Sequence, residues 1–450
     1  MSIDQQGDSA ATEKASKILY LRQFMTNFSG GLMNPYVSMY AIQLGAGPSE
    51  MGWLRSLNNI LSNLQVPWGA ISDRFGRYVP FIVLGGALSA ILWLPLLYAT
   101  SPWHIILIVA AQAVANSMAT PAWAALLGRL LPHSSRATGT ARINTAASLG
   151  AISATLLSGI LVAEVGGSPA EKYRIPLLLA ALSGTVGSLF LCTLPETRVV
   201  RPIRKPLNLK TLRENRNFHV FVLINTFHSF FMSMAWPLFP MTIAKIVGSN
   251  LSQVAYLSAI QGIVSLIARR YAGRISDVAG RRLLIIVSRA GVTIYPLMYA
   301  FASNINHLYV ADFTIGIISA VADITVFAYL LDIAEPEQRG SLVAMFNTFS
   351  GFSTFFGSIL GGYLVSLLNV LGVDFDIALR ITYIISASGR LVAGLLFTKI
   401  SEQRMYTSTV KRELINVVAS DIERTRYVVH RIDELGEKAD SSLREDMDRL

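Results

Sequence analysis

The sequence predicts an all-α polytopic membrane protein, with twelve transmembrane helices arranged as two pseudosymmetric six-helix bundles. Three observations carry this expectation. The chain is 52% hydrophobic and 15% charged, whereas soluble domains carry about 25% charged residues. Long apolar runs recur: Val79–Ala99 contains no charged residue, and about 20 apolar residues suffice to cross a hydrocarbon core of about 30 Å. A charged turn also occurs twice. G-A-I-S-D-R-F-G-R-Y at Gly69–Tyr78 returns as G-R-I-S-D-V-A-G-R-R at Gly273–Arg282, with Asp73 and Asp277, Gly76 and Gly280, and Arg77 and Arg281 each 204 residues apart.

Taken in order, residues 1–17 form a polar leader segment. The first span reads from Ile18 to Leu44 and is turned by Gly45–Pro48. The second runs Ser49–Ile71 into the charged turn, the third covers Val79–Ala99, and Ser101-Pro102 breaks it. Spans four to six follow at Trp103–Leu127, Ala137–Val162 and Ile175–Leu194, closing an N-terminal bundle over residues 18–195. Residues 196–217 are a linker dense in Arg and Lys. Spans seven to twelve fall at Phe218–Val247, Leu251–Ile275, Leu283–Phe301, Leu308–Leu331, Leu342–Leu368 and Ile381–Ile400, a C-terminal bundle over residues 218–400. In the remaining 401–450, Leu414, Val417, Val418, Ile422, Val428, Val429, Ile432 and Leu435 mark an amphipathic tail helix. That tail is expected to lie on the bundle, on the membrane surface, on a second copy or on a cytoplasmic protein.

The formal net charge is +10, yet the first seventeen residues sum to −1 and the tail to −2. The excess sits in the turns after spans 2, 4, 8 and 10 and in the linker. By the positive-inside rule those loops and both termini are cytoplasmic, in a multi-pass protein of the cell membrane. The basic pI therefore reports orientation, and no nucleic-acid partner is expected because no base-reading motif or basic–aromatic groove is present. The single cysteine, Cys192, offers no intrachain disulfide or metal cluster. The acidic N-terminus has no basic n-region, so no cleavable signal peptide is expected. Neither a nucleotide loop nor a nucleophile elbow appears, so no enzyme activity, cofactor or direct ATP drive is expected.

The repeat extends past the turns. Pro132 pairs with Pro336 at the same 204-residue offset, and Arg136 with Arg339 and Asn144-Thr145 with Asn347-Thr348 at 203. Parallel repeats of this kind belong to transporters that rock one half against the other around a midplane site. The motif G-x-x-x-D-R-x-G-R at Gly69–Arg77, its copy at Gly273–Arg281 and the basic linker after Leu194–Arg198 resemble the major facilitator superfamily over about Ile18–Ile400. The resemblance implies twelve helices, a central cavity lined mainly by spans 1, 4, 7 and 10, and alternating access. Two signatures of the proton-coupled drug antiporters are missing: an arginine in span 4 and G-P-x-x-G-G in span 5.

Within that frame, Gly69, Asp73, Arg74, Gly76 and Arg77, with Gly273, Asp277, Gly280, Arg281 and Arg282, are candidates for a cytoplasmic latch. The glycines would admit a neighbouring helix, the aspartates sit at helix N-termini, and the arginines face Asp332, Glu335 and Glu337 as candidate partners. The competing reading is topology alone. Asn27 and Asn34 share one face of span 1, Gln112 and Asn116 one face of span 4, and Asn225, His228 and Trp236 lie on span 7. With Asp323 in span 10 they are candidates for a cavity that binds a small polar solute, or else they bond helix to helix. Asp323 and Arg390 fall at similar depth, either as a structural ion pair or with Asp323 as a protonatable coupling site. Arg55 reads as an interfacial arginine that snorkels, with substrate contact as the alternative.

The functional expectation is a secondary active transporter for a small-molecule substrate, working in a lipid bilayer by alternating access, with protons as the candidate coupling ion. The alternatives are a transport-inactive sensor or adaptor signalling through its tail, and an uncoupled facilitator.

Overall fold

The computed structural model describes residues 4–131, 136–165, 167–194, 216–333 and 339–401. Residues 196–215 of the linker, Glu335 and Glu337 and the tail helix therefore lie outside the described residues, as does the side chain of Asp277. Among the described residues all regular structure is helical, in twelve rods. These are α1 (Asp4–Gln43), α2 (Pro48–Ser62 and Gln65–Phe75), α3 (Val79–Ile91, ending in a 3-10 turn), α4 (Pro102–Leu130), α5 (Arg136–Glu164) and α6 (Pro169–Leu189). The second set is α7 (Arg216–Ala235, continued by Phe239–Met241 and a π turn), α8 (Leu251–Ala279), α9 (Arg281–Gly291 and Ile294–Ala300), α10 (Ile305–Asp332), α11 (Arg339–Val370) and α12 (Phe375–Leu396).

Ten of these rods are long and apolar enough to cross a membrane on composition alone. The other two, α1 and α2, carry Asn27, Asn34, Arg55, Asn58 and Asn59, and their polarity is explained below by what they line. Several breaks have one cause. Proline has no N–H and its ring clashes with the carbonyl four residues earlier. Pro67 follows the break of α2 at Asn63–Leu64, Pro237 that of α7 after Ala235, and Pro296 that of α9 at Val292–Thr293. Pro35 and Pro121 stay inside continuous helices.

Helices α1–α6 pack on one another, as do α7–α12, and the two bundles meet along two seams, α2 against α11 and α5 against α8. Across these seams Ser56 Oγ donates to the Phe355 carbonyl at 2.8 Å, Trp53 Nε1 to Tyr363 Oη at 3.1 Å and Ser252 Oγ to the Gly159 carbonyl at 3.2 Å. The α2–α11 seam is close because glycine meets glycine: a Cβ on Gly52 would stand 3.4 Å from Gly362 Cα. All of these contacts lie in the half of the molecule away from the charged turns.

The apolar core has the same asymmetry. At the end opposite the charged turns one cluster spans both bundles, joining Tyr36, Tyr40, Met51 and Leu54 to Phe239, Leu257, Tyr299 and Tyr383. At the end bearing the charged turns, the basic end, there are two separate clusters. One surrounds Leu19, Tyr78, Ile82 and Leu126, and the other surrounds Phe221, Ile285, Tyr329 and Phe397. The bundles are fused at one end and separate at the other.

Candidate functional site

A cavity of about 600 Å³ lies in the N-terminal bundle. It is lined by Asn27, Asn34 and Ser38 of α1, Arg55, Asn58 and Ser62 of α2, Ser89 and Trp93 of α3, and Gln112 and Asn116 of α4, with Thr155 of α5. Helical spacing explains this wall: Arg55, Asn58 and Ser62 fall at i, i+3 and i+7, and Asn27 and Asn34 at i and i+7, so each set shares a face. Asn34, Arg55, Asn58 and Asn116 are exposed to the cavity. Gln112 is buried and donates through Nε2 to the Ser89 carbonyl at 3.1 Å. That carbonyl is available because the end of α3 turns early, Trp93 N–H bonding to Ala90 rather than Ser89. The four N-terminal cavity candidates, Asn27, Asn34, Gln112 and Asn116, are thus brought together.

The C-terminal candidates are not. Asn225 is buried and donates to Ser350 Oγ of α11 at 2.9 Å. His228 is fully buried; its Nδ1 lies 3.4 Å from Arg289 Nη1 and its Nε2 3.2 Å from the Arg289 carbonyl. A guanidinium only donates, so Nδ1 accepts and Nε2–H donates, which assigns the neutral tautomer. Trp236 packs against the shared core. Asn225 and His228 bond helix to helix inside their own bundle.

Asp323 and Arg390 do not pair. The Asp323 carboxylate meets Arg269 of α8 at 3.4 Å, with both side chains more than half exposed. Arg390 is 1% exposed and donates to the Met232 carbonyl at 2.7 Å and the Val292 carbonyl at 3.3 Å. Both carbonyls sit at proline breaks, of α7 and α9, where the helical partner four residues on is lost. Similar depth was legible from spacing; the direction of each side chain around its helix was not.

One correction concerns another arginine, and one acid is new. Arg55 does not snorkel to an interface: it points into the cavity, where its Nη2 reaches Ser38 Oγ at 3.4 Å. Asp312, early in α10, is a buried carboxylate that the sequence reading missed. It is 4% exposed and accepts from Tyr295 Oη at 2.6 Å, whose oxygen lies 3.2 Å from Tyr299 Oη. The i, i+4 tyrosines of α9 were the available signal.

At the basic end, Asp73 accepts from Tyr78 Oη at 3.0 Å, while Arg74 and Arg77 are exposed. Gly76 closes α2 in the left-handed region, φ 65°, its N–H on the Ser72 carbonyl at 3.0 Å. The two turns differ in packing. A Cβ on Gly69 would meet Pro121 Cβ of α4 at 3.3 Å, but one on Gly273 would meet nothing within 4 Å, so the expected close approach holds for the first turn alone. Gly280 separates α8 from α9. Arg281 is buried and pairs with Asp332 of α10, and Arg282 donates to the Thr398 carbonyl, in the 3-10 turn after α12, at 2.5 Å. Both of these described partners belong to the same bundle, not to the facing one.

A sequence model of the Major Facilitator Superfamily matches residues 19–231 and 221–430. An uncharacterised MFS-type transporter of Methanocaldococcus jannaschii is 20% identical over 370 residues, covering 80% of this chain and 93% of its own length. Multidrug resistance protein MdtG of Salmonella arizonae is 25% identical over 297 residues, covering 60% of this chain and 69% of its own. Among solved structures, the nucleoside transporter NupG superposes with a TM-score of 0.67 at 15% identity, over 86% of this chain and 98% of that one. A bacterial homologue of the human lysosomal transporter Spinster, inward-facing and occupied, gives 0.69 at 13% identity, over 87% and 97%. At such identities the structures speak for the fold. Matched along nearly its whole length, and folded as two six-helix bundles with a polar cavity in the first, the chain belongs to the Major Facilitator Superfamily.

Proposed function

We propose that the protein is a secondary active transporter that moves a small polar solute by alternating access, with its basic end in the cytoplasm. The observation that carries this reading is the polar cavity of about 600 Å³ in the N-terminal bundle, in a molecule whose two bundles share a continuous core at one end and hold separate cores at the other. In the proposed orientation this is an inward-open state. Relatives named for multidrug resistance, nucleoside transport and xylose–proton symport support transport as the activity without selecting a cargo.

Proton coupling belongs to the same proposal, carried on α10. Asp312 is the better carrier of the two acids there: it is shut among the hydroxyls of Tyr295 and Tyr299, whereas Asp323 is exposed and ion-paired to Arg269. Protonation would remove a buried charge and change what the tyrosines donate to. Counterflow and uptake in proteoliposomes, with and without a pH gradient, test both parts. A pH gradient is expected to stimulate wild-type uptake and the Asp323→Asn variant, but not Asp312→Asn, which retains counterflow. Stimulation that persists in Asp312→Asn removes the coupling assignment. Absence of counterflow by the wild type for every solute that binds it would favour the sensor reading.

A further inference from the structure

We propose that the cavity binds the anionic group of its cargo through Arg55, making the substrate a small organic acid or a phosphorylated or phosphonate solute. This rests on the transporter reading and names its class of solute.

Among the described residues that line the cavity, Arg55 is the one charged group, and no described carboxylate stands there with it. Its position in the fold sharpens the point. A cation at membrane depth is costly and is retained where it has a partner. Other arginines deep in the bundles have theirs. Arg390 holds two carbonyls. Arg22 lies over the Trp123 ring at 4.1 Å and bonds Gln23 at 2.6 Å. Arg281 pairs with Asp332. Arg55 has a single long contact, 3.4 Å, to a neutral hydroxyl. Its guanidinium faces open volume.

The surroundings suit an anion. A guanidinium presents five donors in a planar fork that matches two oxygens of a carboxylate or phosphate. Asn58 and Ser62 continue along the same face of α2, and Asn34 lies one turn from Ser38 on α1. These amides and hydroxyls would satisfy the remaining oxygens and the neutral body of the solute. From Ser38 to Asn27 the cavity follows α1 for roughly 16 Å at 1.5 Å per residue. The anionic head would therefore rest near the sealed end, with the body extending toward Asn27 and Asn116. A lone positive charge in a low-dielectric cavity repels organic cations, which removes them from the candidate cargoes.

The test is a thermal-stabilisation and binding screen on the purified full chain. The panel holds each skeleton in three forms: an anion (carboxylate, sulfonate, phosphate or phosphonate), its neutral amide or ester, and its amine. Gluconate, gluconamide and glucamine form one such trio. The expected hits are anions, and the carboxylate and phosphate arms identify which head group is preferred. Each hit should lose at least tenfold in Kd in Arg55→Gln and recover part of it in Arg55→Lys. Arg380→Gln, which removes an exposed cation paired with Asp376 in α12, should bind like the wild type. Size-exclusion profile and Tm establish that each variant is folded. Hits among neutral or cationic forms, anion affinity unchanged in Arg55→Gln, or no anion that stabilises the wild type would each overturn the proposal. Uptake of the hits separates this from the reading beneath it. Anion binding without uptake would sink transport and keep the site; uptake of a neutral or cationic solute unaffected by Arg55→Gln would do the reverse.

Discussion

Arg390 and Asp323 lie in different neighbourhoods, and the difference has a measurable consequence. Arg390 holds the broken ends of α7 and α9 together through their freed carbonyls, while Asp323 pairs with Arg269 on an exposed flank. Arg390→Met should therefore destabilise the protein, and Asp323→Asn should act independently of it. In a double-mutant cycle read by denaturation in detergent, the coupling energy is expected within about 0.5 kcal/mol of zero, as for separated sites. A coupling above about 1 kcal/mol would contradict the separate placement. Depth was readable in the sequence because residue number converts to rise along a helix. Azimuth was not, because spacing along α10 or α12 does not say how each unbroken helix is rotated against its neighbours. Asp312 was passed over because it stands only two turns into α10, where a carboxylate ordinarily reaches water; its tyrosine partners come from another helix.

The broken rods act as elements with separate ends. Pro67 divides α2 into a segment that seals against α11 and a segment that ends in the charged turn. The turn itself is held by the Tyr78–Asp73 bond and the left-handed Gly76. A carboxylate at that position also meets the positive end of α3. We propose that Asp73 is part of a latch that forms when the basic end closes. Asp73→Asn should insert and purify normally yet lower the uptake rate about tenfold, with Tyr78→Phe giving a smaller loss in the same direction; a tenfold change in rate corresponds to about 1.4 kcal/mol. Uptake at the wild-type rate by well-inserted Asp73→Asn would leave the turn as topology alone. The prolines that matter were only partly legible. Pro67, Pro237 and Pro296 follow breaks, but Pro35 and Pro121 sit in continuous helices, so a proline in the sequence does not by itself mark one.

At the scale of the molecule, composition and the 204-residue repeat were enough for the fold class, because a membrane leaves helices little choice and duplication fixes their grouping. The location of the cavity was not readable. Duplication suggests that α7 and α10 contribute like α1 and α4, yet Asn225 and His228 turn inward to bond α11 and α9. Arg55 of α2, read as an interfacial residue, supplies the charge of the cavity wall. The central claim is that the two ends open in turn. Pulsed electron–electron distance measurements in nanodiscs address it without knowledge of the cargo, on a Cys192→Ser background. One labelled pair, Tyr98 with Val370, reports the sealed end, where both positions are more than 80% exposed; the other, Phe75 with Thr398, reports the basic end. The account predicts two populations at each end, with shortening at the basic end accompanied by lengthening at the other as pH or bound anion is changed. A single, unshifted distance at both ends under every condition would contradict it.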